Sequence, residues 1–256
     1  MGSTLATDRL QEGRHDESLQ SIVLRLKAAQ KSNRGAPAYS RWINRPVGRR
    51  VAAVAYKAGR TPNQVTAVSA IVTYTAIALL AVVRPDWWTG AVIAVLLCSG
   101  FALDAADGQL ARLRGGGSAA GEWLDHVVDC VKTSSLHLAV LICWFRFFHL
   151  PATGWLLVPL AFSFEATVFF FSIILSEQLR RAASGLTSAS KPHTGERAPA
   201  LRSVLVLPAD YGLMCVLFVV LGAHSVFMWA YAALMVANLI LLLGAWPRWF
   251  REMKQL

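Results

Sequence analysis

The chain has 256 residues, of which 55% are hydrophobic and only 16% charged, with a formal net charge of +10. Its apolar residues are not dispersed as in a soluble core. From Asn63 to Val83 there is no Asp, Glu, Lys, Arg or His, and from Tyr211 to Trp246 no Asp, Glu, Lys or Arg, whereas about 20 apolar residues suffice to cross a bilayer. Composition therefore excludes a soluble domain and predicts an all-α integral membrane protein. The positive charge also excludes nucleic acid as a partner, because no recognition motif accompanies it. Ten Lys or Arg and no Asp or Glu fall between Ser18 and Pro62, just before the first apolar block, where basic residues mark the cytoplasmic side and attract anionic membrane lipids.

Residues 1–17 are polar, mixed in charge and aperiodic, and are expected to be disordered. Residues 18–62 form a basic juxtamembrane segment. Within it Ile43, Val47, Val51, Val54 and Ala58 recur at helical spacing, Arg41, Arg45 and Arg49 line another face, and Pro46 suits a first turn. This pattern predicts an amphipathic helix in the cytoplasmic interface; a solvated basic arm is the alternative. Nothing before the first apolar block reads as a secretory signal peptide. Six transmembrane helices follow within a domain over 63–246, at about 64–83, 88–110, 119–145, 152–178, 203–222 and 225–245. Trp87, Trp88, Trp155, Trp246 and Trp249 stand at span ends, as interfacial aromatics do. Residues 247–256 form a basic tail. Counting Lys and Arg places both ends, the 111–118 turn and the 180–202 loop in the cytoplasm, so the protein is multi-pass with its acidic residues facing that side. The four cysteines, Cys98, Cys130, Cys143 and Cys215, lack metal-site spacing and read as small buried hydrophobes.

Four of the eight aspartates lie in one short stretch, ALDAADGQLARLRGGGSAAGEWLDHVVDC, residues 102–130. RGGGS makes a turn between two helices. On the first, Asp104, Asp107, Gly108 and Ala111 share a face; on the second, Gly121, Asp125 and Asp129 do. One Asp near the bilayer centre costs about 2.5–3.5 kcal/mol, and like charges raise one another's pKa. A cation between the helices relieves both penalties. An all-carboxylate set selects a hard divalent ion, Mg²⁺ or Mn²⁺, and four carboxylates suffice for two such ions. Helix capping, or pairing with Arg112, Arg114 and Lys132, is the plainer alternative for one or two of them.

The pattern Asp104-x-x-Asp107-Gly108-x-x-Ala111-Arg112, eight residues, then Gly121-x-x-x-Asp125-x-x-x-Asp129 resembles the full signature of the CDP-alcohol phosphatidyltransferases. The resemblance, which covers about residues 40–245, implies transfer of a phospho-alcohol group from a CDP-alcohol, such as CDP-diacylglycerol, to the hydroxyl of an acceptor alcohol with release of CMP. It further implies Asp104, Asp107 and Asp125 as metal ligands, and Asp129 as ligand of a second metal, general base, or both. Gly108, Ala111, Gly121 and Arg112 would receive the nucleotide. Thr61–Thr66, TPNQVT, resembles a family element that sets Pro62 and Asn63 beside it. A homodimer is implied as well.

The acceptor is expected to be a small polyol or phosphorylated polyol. Lys132, one turn beyond Asp129, and the loop residues Arg180, Arg181, Lys191, Arg197 and Arg202 suit a phosphate on it, although positive-inside bias explains the loop equally. SRWINRP, Ser40–Pro46, is similar to a segment of members acting on inositol phosphate. Glu165, Glu177 and Asp210 also lie in or near spans, Asp210 being placed to pair with an arginine. A cation or proton transporter is the alternative of another class, but its ionisable groups should extend through the bilayer.

Overall fold

A computed structural model describes residues 17–30, 36–185 and 200–256. The expectations of disorder over most of 1–17 and of acceptor contacts by Lys191 and Arg197 lie outside the described residues. All regular elements among those residues are helical. Helix α1 is Leu19–Ala28, and a π-helical turn, Ser40–Asn44, runs directly into α2, Arg45–Lys57. The long helices are α3 (Pro62–Val82), α4 (Trp87–Leu113), α5 (Ala119–Phe147), α6 (Leu157–Ala183, entered through a 3-10 turn at Thr153–Leu156) and α9 (His224–Met253). These five are long and apolar enough to cross a membrane. Their outward faces carry apolar side chains such as Ile71, Trp88, Phe145 and Phe164, as a hydrocarbon solvent requires.

The segment expected to be one helix over 203–222 is broken. It consists of α7 (Ala200–Leu205), a 3-10 turn (Leu207–Ala209), α8 (Tyr211–Leu217) and a second 3-10 turn (Phe218–Val220). The reason is local. Pro208 has no N–H to continue a helix, and Asp210 starts a new one by accepting a hydrogen bond from the Gly212 N–H at 3.1 Å. Asn238 Nδ2 donates to the Pro208 carbonyl at 2.7 Å, satisfying a group the break would otherwise orphan. The tail also differs from expectation, since α9 continues through Pro247 to Met253.

Helix starts follow capping chemistry. Thr61 and Gln64 form a capping box ahead of Pro62, Asp86 caps α4 through the Thr89 N–H, and Ser118 caps α5 through the Gly121 N–H. Two apolar clusters hold the bundle. The larger joins α3, α4, α5, α6, α8 and α9 around Trp144, Phe218, Phe227 and Tyr231, while the smaller joins α1 and α2 to the start of α3 and the end of α4. Small residues let α3 approach α4: a Cβ at Gly100 would collide with Thr73, and Ser69 Oγ donates to the Gly100 carbonyl at 2.8 Å. Gly48 does the same for α2, where a Cβ would lie 2.9 Å from Ala105 Cβ. Helix α2 buries Gly48, Ala52, Ala53 and Ala55 against the protein and turns Val47 and Val54 outward, as the π-helical turn before it does Ile43.

Candidate functional site

The α4–α5 hairpin brings three of the four aspartates together. One carboxylate oxygen each from Asp104, Asp107 and Asp125 lies within 4.8 Å of the other two. Antiparallel helices with acidic residues at i, i+3 and i+4 spacings can produce this only when both acidic faces meet. Asp107 is 5% exposed, and its Oδ2 accepts a hydrogen bond from Thr66 Oγ1 of α3 at 2.6 Å. Three buried or half-buried carboxylates with no intervening cation repel one another, and a hard oxygen set of this size suits a divalent ion.

Asp129 stands apart from that group. It pairs with Lys132, whose ammonium is also 3.6 Å from Asp104 Oδ1. Lys132 is buried, and two carboxylates with the Tyr211 ring face, whose centroid is 5.1 Å from Nζ, compensate its charge. The deep end of the site is therefore an aspartate–lysine–aspartate array beside the triple carboxylate.

Toward the hairpin tip the expected nucleotide residues gather. Gly121 lies against Asn63, so that a Cβ there would be 2.9 Å from Asn63 Oδ1, and a Cβ at Gly108 would be 3.4 Å from Arg112 Nη1. Ala111 is half-buried between them in sequence, and Pro62 forms the first turn of α3 beside Asn63. Arg112 Nε is buried and makes no hydrogen bond among the described residues. Arg45 faces it within electrostatic reach; burial first, then Arg41, holds the Arg45 guanidinium below its ordinary pKa. Two confined cations beside three carboxylates describe a place for a phosphate-bearing ligand as well as for a metal.

The chain's sequence matches the family model for CDP-alcohol phosphatidyltransferase over residues 60–243. The chain belongs to that family. No curated protein matches it. The matched region starts just before α3 and ends within α9, so α1 and α2 lie outside it.

The other expected residues of the transferase are placed as follows. Arg180 Nε is 2.9 Å from Glu252 Oε1, and Arg181 pairs with both Glu122 and Glu177, so both arginines are engaged with carboxylates at the ends of α5, α6 and α9. Arg202 lies on α7. Asp210, expected to pair with an arginine, instead accepts from the Ser40 N–H and Ser40 Oγ, each at 2.9 Å. Arg41 Nη1 donates to Ser203 Oγ at 3.1 Å and Asn44 Nδ2 to the Phe101 carbonyl at 3.1 Å, so the SRWINRP segment straps the broken helix to α4. Two site residues were not singled out from sequence. Thr66 could have been found, since Thr66, Ser69 and Thr73 form one small polar stripe on α3. Tyr211 carried no such signal.

Proposed function

We propose that this transferase moves a phosphatidyl group from CDP-diacylglycerol to a hydroxyl of a small polyol or polyol phosphate, releasing CMP, at the cytoplasmic face of its membrane. The observation that carries the reading is the convergence of Asp104, Asp107 and Asp125 on a common point between two helices. Those three would hold Mg²⁺ or Mn²⁺, and Asp129 is near enough in sequence to share a second ion. Bound there, the metal supplies Lewis-acid neutralisation of the diphosphate. Family membership sets aside cation transport as the purpose of the carboxylates.

The protein's own residues do the rest. Gly108 and Gly121 leave room for the cytidine where a larger side chain would meet Arg112 and Asn63. Arg112, with its Nε unsatisfied by protein, gains a phosphate oxygen as acceptor. The acceptor hydroxyl attacks the phosphorus that bears the diacylglycerol. A new O–P bond forms, the diphosphate P–O bond to CMP breaks with CMP keeping the electron pair, and the hydroxyl proton passes to the Asp129 carboxylate. Lys132, bonded to Asp129 and Asp104, fixes the orientation of that base. Lys191, Arg197 and Arg202, between the end of α6 and α8 in sequence, would be partners for an acceptor phosphate.

Asp125→Asn tests the reading, because it removes a ligand charge without changing side-chain volume. CMP release from CDP-diacylglycerol in liposomes containing Mg²⁺ or Mn²⁺ should fall at least a thousand-fold, while the variant elutes as wild type on size exclusion. Full metal-dependent turnover by Asp125→Asn would reject it.

A further inference from the structure

The Tyr211 hydroxyl oxygen is out of contact with solvent and makes no hydrogen bond among the described residues. A phenol is amphipathic, and its O–H ordinarily finds a partner when buried. This one has been brought to the chemistry rather than away from it. The ring lies with its centroid 5.1 Å from Lys132 Nζ and packs edge-on against Phe101 with centroids 5.2 Å apart. Lys132, Asp104 and Asp129 are all within electrostatic reach of the hydroxyl. The position is built: Asp210 immediately before it is 2% exposed and held by two hydrogen bonds from Ser40. Next to it Gly212 accepts the Tyr39 ring where any side chain would collide. Breaking the helix at Pro208 thus sets a fixed tyrosine over the deep end of the acidic site.

Two ends of that site differ in what they can bind. The shallow end, with Gly108, Arg112 and Gly121, has the small residues and the cationic group assigned above to the nucleotide. The deep end has Asp129, which in the proposed reaction takes the proton of the attacking alcohol. An unsatisfied neutral hydroxyl on the Asp129 side is complementary to an alcohol, whose oxygen both donates and accepts. We propose that Tyr211 is an acceptor-binding residue: its hydroxyl hydrogen-bonds a hydroxyl of the acceptor polyol and holds the attacking oxygen beside Asp129. The assignment rests on the transfer reaction proposed above.

Tyr211→Phe removes one oxygen and keeps the ring on Phe101 and Lys132. Wild type and variant are compared in liposomes for CMP release, varying CDP-diacylglycerol at fixed acceptor and then glycerol phosphate, inositol phosphate, glycerol and inositol at fixed donor. Binding of CMP with Mg²⁺ is measured separately by calorimetry. Loss of one neutral hydrogen bond should raise KM for the accepted polyol about three- to ten-fold, leaving donor KM and CMP affinity within two-fold. Unchanged acceptor KM overturns the assignment, as does a parallel loss of CMP affinity, which would place the hydroxyl in the fold or the donor site. If wild type releases no CMP with any acceptor, the reaction itself fails and this assignment with it; wild-type turnover with an indifferent Tyr211→Phe defeats the tyrosine alone.

Discussion

Gly121 shows how little room a single residue leaves at this site. It opens α5, its own N–H is taken by the Ser118 cap at 3.0 Å, and a Cβ would lie 2.9 Å from Asn63 Oδ1 and 3.2 Å from Ser118 Oγ. Ser118 is held by capping the first turn of the helix, whereas the Asn63 side chain is exposed and is the neighbour that can yield. Gly121→Val should therefore displace Asn63 into the space assigned to the nucleotide. The expected result is a rise of at least ten-fold in donor KM with little change in acceptor KM, measured by CMP release; equal KM values would show that the glycine does not border the nucleotide. At this scale the sequence carried most of the site. The spacing of Asp104, Asp107 and Asp125 fixes their faces once both segments are helices, and Asn63 lies against Gly121. Asp129 lies outside the group of three carboxylates and pairs with Lys132, three residues on. Spacing alone does not reveal that pairing.

Helix α1 has a sequence that says little by itself, and its packing is the more informative for that. Only Ile22 and Leu26 of its residues are buried, at 0% and 1% exposure, and they fill the cluster made by Ala52, Ala53, Val65, Ala106 and Leu110. Arg25 lies 5.8 Å from the Tyr56 ring centroid, with Arg114 of the hairpin turn on the same ring at 6.0 Å. Removing a buried leucine side chain costs about 2–5 kcal/mol, and a ten-residue helix has no independent stability in water. Leu26→Ala should thus undock α1 before the bundle unfolds, and limited trypsin cleavage at Arg25 and Lys27 should quicken by roughly thirty-fold or more, 2 kcal/mol being about that factor in an opening equilibrium. Cleavage at the wild-type rate would mean that this contact contributes nothing to docking. The long uncharged stretches of α3 and α9 were legible because hydrophobic length speaks for itself. The broken segment was not, since its apolar count satisfied a span while Pro208 and Asp210, two residues apart, were the signals of a stop and a new cap.

For the whole molecule, the contacts at the two ends of the bundle bear on the number of crossings. The end of α6 meets the end of α9 through Arg180 and Glu252, whereas the start of α9 meets the α3–α4 turn, where His224 Nε2 is 3.2 Å from the Pro85 carbonyl. His224 also stacks on Phe148, just past the end of α5, with ring centroids 4.3 Å apart. The chain between α6 and α9 therefore joins opposite ends of the bundle, and the broken segment lies within it. Polar backbone at that depth is tolerable because Ser40, Asn238 and the caps satisfy it. We propose that the five long helices and this segment make six crossings; α1, the hairpin tip and the C-terminus lie at one end of the bundle. Single cysteines at Lys27, His149 and Lys254, all exposed positions, test this in a chain whose four native cysteines are replaced by serine. A membrane-impermeant maleimide should label His149→Cys on intact cells, and Lys27→Cys and Lys254→Cys only after permeabilisation. Labelling of just one of the two terminal positions on intact cells would require an odd number of crossings, and the broken segment would then have to enter and leave by the same face.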